Sequence, residues 1–167
     1  ADLPESSDED GHRLGVALAR AMRALAMPGL WDAVPAARSV LFVFDPLRLP
    51  HERLRSAIAA RREAESDTGM HRTLIIPVAY GHGSGDLEAL AQAAGLSPEE
   101  FARRHGASAY RVAFLGFAPG FAYLSGLPEE LTASRLASPR KRVPAGSLAI
   151  GGRYTGIYPE ASPGGWR

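Results

Sequence analysis

The 167-residue chain contains no cysteine. That excludes disulfides, thiolate metal ligands and a cysteine nucleophile, and it suits a reducing compartment. Lysine is almost missing as well: Lys and Arg total 19, and Lys141 is the only lysine. Formal net charge is +1, so nothing global points to nucleic acid or an anionic surface. No apolar run approaches the roughly 18 residues of a membrane span, and the acidic, polar start is unlike a signal peptide. The expectation is a cytoplasmic protein that partners neither nucleic acid nor membrane.

Catalytic signatures are scarce too. There is no G-x-x-x-x-G-K-[ST], no G-x-G-x-x-G opening a helix and no H-E-x-x-H. Ser125, Ser147 and Ser162 lack the G-x-S-x-G context of a nucleophile elbow. The histidines are His12, His51, His71, His82 and His105. Their spacing offers no three convergent ligands, so no bound metal is expected in this chain.

What is present begins with helical periodicity. Leu14, Leu18, Ala21, Met22 and Leu25 mark one helix face, closed by Pro28-Gly29. A short extended piece at 30–34 and a buried strand at 39–44 follow, broken by Asp45-Pro46. Leu54, Ala57 and Ile58 mark a second helix running into the charged stretch 61–67. Residues 73–80 read as a strand, with Pro77 arguing for an edge or a bulge. The β-α-β-β-α-β rhythm of a small ferredoxin-like sheet is nearly complete, lacking its first strand.

After a loop at 81–85, residues 86–94 read as a short helix with Asp86 as N-cap and Gly95 past its end. Ser97-Pro98-Glu99-Glu100 is a helix start: Ser97 caps, Pro98 takes the first turn and Glu100 completes a capping box. That helix stops at His105-Gly106. Strands are expected at 110–115, near 141–150 and at 153–158.

Residues 112–166 form the densest block, with aromatics interleaved among Gly and Pro. Gly permits positive φ and close approach, and Pro fixes φ. Phe117, Phe121, Tyr123, Tyr154 and Tyr158 read as the walls of a groove, with Pro119 and Gly120 in its turn. The bland alternative is core filler. Arg140, Lys141 and Arg142 form a basic triplet. They suit either an anion clamp or the protection of a strand edge. His105, at a helix end, suits capping in its charged form or, alternatively, acid/base work near neutral pH.

Three ordered segments resemble one family. F-L-G-F-A-P-G-F-A-Y-L-S-G-L at 114–127, P-R-K-R-V-P-A-G-S-L-A-I at 139–150 and T-G-I-Y-P-E-A-S-P-G-G-W at 155–166 resemble the B-subunit family of bacterial 5-oxoprolinase. This family is also called allophanate hydrolase subunit 1. It includes the kinase inhibitor KipI and corresponds to subdomains C and D of a carboxyltransferase domain. The resemblance implies an α+β fold: a small ferredoxin-like α/β domain over 1–80, then a cyclophilin-like β-barrel over 81–167.

It also implies ATP-dependent cleavage of a lactam, most simply 5-oxoproline to glutamate. ATP and Mg enter through a complex with two further subunits, one homologous to this chain (the C subunit, allophanate hydrolase subunit 2-like) and one that opens the lactam (the A subunit). Binding of a histidine kinase, or a carboxyltransferase role in urea breakdown, are the alternatives. On this reading Arg140, Lys141, Arg142, Tyr154 and Thr155 contact substrate or its anionic group. His105 is the acid/base candidate, and Phe117, Pro119, Gly120, Phe121, Tyr123 and Tyr158 shape the groove. Two departures stand out: Tyr154 replaces a Gln common in the family, and Ala122 replaces a Pro. Family members also continue into further barrel strands, so a barrel incomplete at its C-terminal end is expected.

Overall fold

The computed structural model describes residues 8–61, 72–81 and 85–167. The chain divides into two compact units, Ala1–Arg72 and Thr73–Arg167. The expected end of the second helix at 62–67, His71 and His82 lie outside the described residues.

The first unit runs α1 (Asp8–Ala24), β1 (Leu30–Pro35), β2 (Val40–Phe44) and α2 (His51–Ala59). β1 and β2 form an antiparallel pair, with a register shift between Leu30 and Asp32. Asp32 uses the irregularity to accept from its neighbour's backbone, Ala33 N, and from Arg23 Nε on α1. The apolar stripe of α1 buries Leu18, Ala19 and Met22 against Ala33, Val40, Leu49 and Leu54. Gly29 has φ +91°, and a Cβ there would meet Arg48 and Leu49 at about 3 Å. Only glycine lets the chain leave α1 that close to the start of α2.

The observed order is α-β-β-α with a two-stranded sheet. The strand expected at 73–80 is absent: residues 72–79 have no regular structure. Their composition is strand-like, but a strand exists only with a ladder partner. Pro77 has no N–H to offer one. Ile75 is 94% exposed, so the apolar run has not become a buried strand.

The second unit opens with α3 (Asp86–Ala93) and α4 (Pro98–Ala107). The N-cap of α3 is Gly85, in the left-handed region, and not Asp86 as expected. Asp86 is the first helical residue, and its carboxylate is engaged elsewhere. At α4, Ser97 Oγ accepts from Glu100 N at 3.2 Å and Pro98 takes the first turn. The Glu100 carboxylate, expected to complete a capping box, instead holds Arg103 and Arg104 at 2.7 Å. These bonds pull its pKa down to about 2.

β3 (Arg111–Leu115), β4 (Ala122–Ser125), a 3-10 turn (Glu129–Leu131), β5 (Arg140–Val143), β6 (Leu148–Gly151), β7 (Tyr154–Ile157) and β8 (Ser162–Gly164) complete the unit. One sheet has the order β3-β4-β7-β6, all antiparallel, and β5 pairs with β8 in a second. The strand expected over 141–150 is therefore two strands in different sheets. Pro144 and Gly146, with φ +80°, make the turn between them. Among the described residues the strands do not close into a barrel. Closure needs every strand paired on both sides, and β3 and β6 end their sheet. Leu90, Ala91, Phe101, Leu131 and Ile150 form one core cluster of this unit. Phe121, Val143, Ala149, Tyr158 and Trp166 form another.

Candidate functional site

An open cleft of about 850 Å³ lies within the second unit. One wall is the irregular segment from Ile76 to Gly81; the others come from α3, α4, the β5–β6 turn and Trp166. Most of its lining is apolar, with Tyr80, His105, Arg140 and Arg142 among the polar side chains.

His105 reaches the cleft because α4 turns one face inward. Phe101 and His105 are four residues apart, hence stacked on the same side, and both are buried. The imidazole is 4% exposed and bonded at both nitrogens. Nδ1 lies 2.8 Å from Tyr80 Oη, and Nε2 lies 3.1 Å from Thr155 Oγ1. Thr155 Oγ1 donates to the Ala149 carbonyl at 3.0 Å. Tyr110 packs its ring 5.1 Å from the imidazole and donates its hydroxyl to the His105 carbonyl. No carboxylate is among these contacts, and burial pushes the imidazole pKa down to about 4. Burial also raises the phenols of Tyr80 and Tyr110, the latter to about 12. At neutral pH the whole group is uncharged. A charged histidine capping helix carbonyls is therefore not what forms: desolvation outweighs the helix dipole here.

The basic triplet divides. Arg140 places its guanidinium against both oxygens of Asp86 at 2.7 Å and donates to the Trp166 carbonyl at 3.1 Å. One nitrogen, Nη2, donates to both carboxylate oxygens while Nη1 takes the carbonyl, and such charge-assisted bonds are strong. The pair ties β5 to the first turn of α3, so both terminal nitrogens of Arg140 are already engaged. Lys141 and Arg142 are exposed. Arg140 and Arg142 line the cleft and Lys141 between them does not.

The aromatics expected as groove walls lie apart from this cleft. The structure does bring the 114–127 segment and the 155–158 strand side by side: β4 pairs with β7, and the Phe121 and Tyr158 rings are 5.2 Å apart. Phe121 and Tyr158 are buried, however, at 1% and 2% exposure. Phe121 also meets Tyr123 at 5.2 Å and Trp166 at 5.4 Å, edge to face in each case. Tyr123 stacks on Phe114 at 4.2 Å, and Tyr154 stands edge-on to Phe114 at 5.6 Å. These rings are a packed core, and the glycines beside them let backbone approach ring. A Cβ on Gly156 would sit 3.1 Å from the Phe121 ring. Phe117 is exposed at φ +68°, with Pro119 and Gly120 exposed beyond it. Thr155, expected to touch substrate, is buried beneath His105.

Nothing in the sequence marks Tyr80 or Asp86 as a site residue. Local pattern puts the first in a strand and the second at a helix cap. Their partners lie 25 and 54 residues away, and no local pattern carries such a pairing. Among the described residues no three His, Asp or Glu side chains converge to hold a metal ion. No helix there is long and apolar enough to cross a membrane.

Likeness to known proteins bears on what the cleft serves. The chain is 41% identical over 152 residues to the 5-oxoprolinase B subunit of Escherichia coli O157:H7, covering 88% of this chain and 68% of that one. It superimposes on the crystal structure of TTHA0988 with a TM-score of 0.83 at 39% identity, covering 99% of this chain and 32% of that one. The fold alone is shared with the Kluyveromyces lactis urea carboxylase, at a TM-score of 0.68 and 18% identity over 93% of this chain and 16% of that one. The chain thus spans about two thirds of the E. coli relative. The family model described as carboxyltransferase domain, subdomain C and D, matches residues 1–167. The chain belongs to the carboxyltransferase domain, subdomain C and D, family.

Proposed function

We propose that this chain is part of the B subunit of an ATP-dependent 5-oxoprolinase, and that its cleft holds the lactam. The observation that carries the reading is the 41% identity to a chain named as the B subunit of 5-oxoprolinase. The cleft supplies compatible chemistry. Apolar walls suit a small ring, the exposed guanidinium of Arg142 suits the carboxylate, and the uncharged Tyr80–His105 pair suits a neutral amide.

In the proposed reaction the lactam oxygen attacks the γ-phosphorus of ATP and ADP leaves. Water adds to the activated carbon, the C–N bond opens with a proton going to nitrogen, and the acyl phosphate is hydrolysed. Orientation and charge stabilisation are what a component such as this contributes. The described residues bring no group of three His, Asp or Glu side chains together. ATP and its metal are assigned to the complex that this chain forms with a homologous C subunit and a lactam-opening A subunit.

ATP hydrolysis dependent on 5-oxoproline, measured with this chain alone and with its cognate subunits, tests the reading. Turnover is expected only in the complex. Arg142→Ala should raise KM roughly tenfold to a hundredfold if the guanidinium holds the carboxylate. Robust turnover by the chain alone, or a wild-type KM in Arg142→Ala, would refute the assignment.

A further inference from the structure

A tyrosine hydroxyl ordinarily gives and accepts hydrogen bonds, but Tyr80 is not free to choose. The Thr155 hydroxyl must donate to the Ala149 carbonyl, which can only accept. Its oxygen therefore receives the bond from His105, so Nε2 carries the proton. The neutral imidazole then has a bare Nδ1, and Tyr80 Oη at 2.8 Å must donate to it. The chain runs one way: Tyr80 O–H to His105, His105 N–H to Thr155, Thr155 O–H to Ala149. With its proton spent, the Tyr80 oxygen has only a lone pair left to offer a ligand in the cleft that it lines.

We propose that Tyr80 is a specificity-determining residue: an acceptor of fixed direction that selects ligands donating an N–H, with Thr155 and His105 as the residues that fix it. Resting on the lactam reading above, this assigns Tyr80 to the ring N–H of the substrate and makes the amide, rather than the ester, the preferred group. A site committed to one hydrogen-bonding sense rejects the isostere of opposite sense because a lone pair is left facing a lone pair.

The test compares 5-oxoproline with its γ-lactone, in which a ring oxygen replaces the N–H. Binding to the assembled complex without ATP is measured by calorimetry. The wild type should prefer the lactam by roughly tenfold to a hundredfold. Tyr80→Phe should weaken the lactam to the level of the lactone. Thr155→Val should let the imidazole turn its proton to Nδ1, freeing the Tyr80 hydroxyl to donate and erasing the preference; Thr155→Ser should keep it. Equal binding of both ligands by the wild type, or a preference retained in Tyr80→Phe, would overturn the proposal. If neither ligand binds, the lactam reading has failed. The fixed direction is then judged by ¹⁵N chemical shifts of His105. Protonated Nε2 in the wild type and protonated Nδ1 in Thr155→Val support it, whereas protonated Nδ1 in the wild type refutes it.

Discussion

Lowering the pH from 7 to 5 should destabilise the second unit through one side chain. His105 has a folded pKa of about 4 against an ordinary 6.5. Between those values the unfolded chain takes a proton that the native state refuses, so native stability falls as pH drops through 6.5 and the loss levels off below 4. A single site with these constants loses about 1.8 kcal/mol between pH 7 and pH 5, and about 3 kcal/mol over the whole range. Asp32, Glu99 and Glu100 all have lowered pKa values and stay ionised across this window. His12, in the first unit, is also lowered by burial and is the control to hold constant. The assay is denaturant unfolding followed by Trp166 fluorescence in a Trp31→Phe background; Trp31 is 70% exposed and removable. His105→Gln keeps an amide able to serve both Tyr80 and Thr155 but does not titrate. Its loss between pH 7 and 5 should be smaller than wild type by about 1.8 kcal/mol. Parallel pH profiles for the two proteins would refute the claim that His105 is held neutral by burial.

Three further outcomes follow from packing. Asp86→Asn leaves the half-buried Arg140 guanidinium without its carboxylate and should cost about 1–3 kcal/mol in denaturant unfolding, and Arg140→Lys, able to meet the carboxylate with one nitrogen but without a second for the Trp166 carbonyl, should cost part of that. Unchanged stability in both would show that the pair does not tie α3 to β5. Phe121→Ala should cost about 3–5 kcal/mol and flatten the near-ultraviolet circular dichroism of the ring cluster; a neutral result would contradict its burial. Gly151→Ala puts a Cβ inside contact distance of the Trp166 indole and should cost about 1–3 kcal/mol. A Trp166→Leu change should remove most of that extra penalty, as a double-mutant cycle would read.

Local signals were legible. The apolar stripe of α1, the Ser97-Pro98 start of α4 and the β1–β2 pair all rest on residues close in sequence. The 73–80 segment has the composition of a strand, but a strand is completed by a partner, and partners are not local. The split between β5 and β6 was legible in Pro144 and Gly146, whose turn chemistry competes with the apolar run around them. The interleaved aromatics could not be resolved by composition. Glycine grants close approach equally to a ligand and to a ring, and here Gly156 lies against Phe121. The cleft was hidden for the same reason. His105 becomes a neutral relay only when Tyr80 and Thr155 arrive from 25 and 50 residues away.

The irregular segment at 72–79 also bears on how the protein behaves at high concentration. Leu74, Ile75 and Ile76 stand exposed on backbone that belongs to no sheet. Short β-prone apolar runs of this kind are where chains add to one another edge to edge. Pro77 sits inside the run, withholds one donor and bends the path a growing ladder would take. Replacing that one pyrrolidine ring with a residue that can donate is therefore expected to raise self-association of the second unit, as light scattering would read.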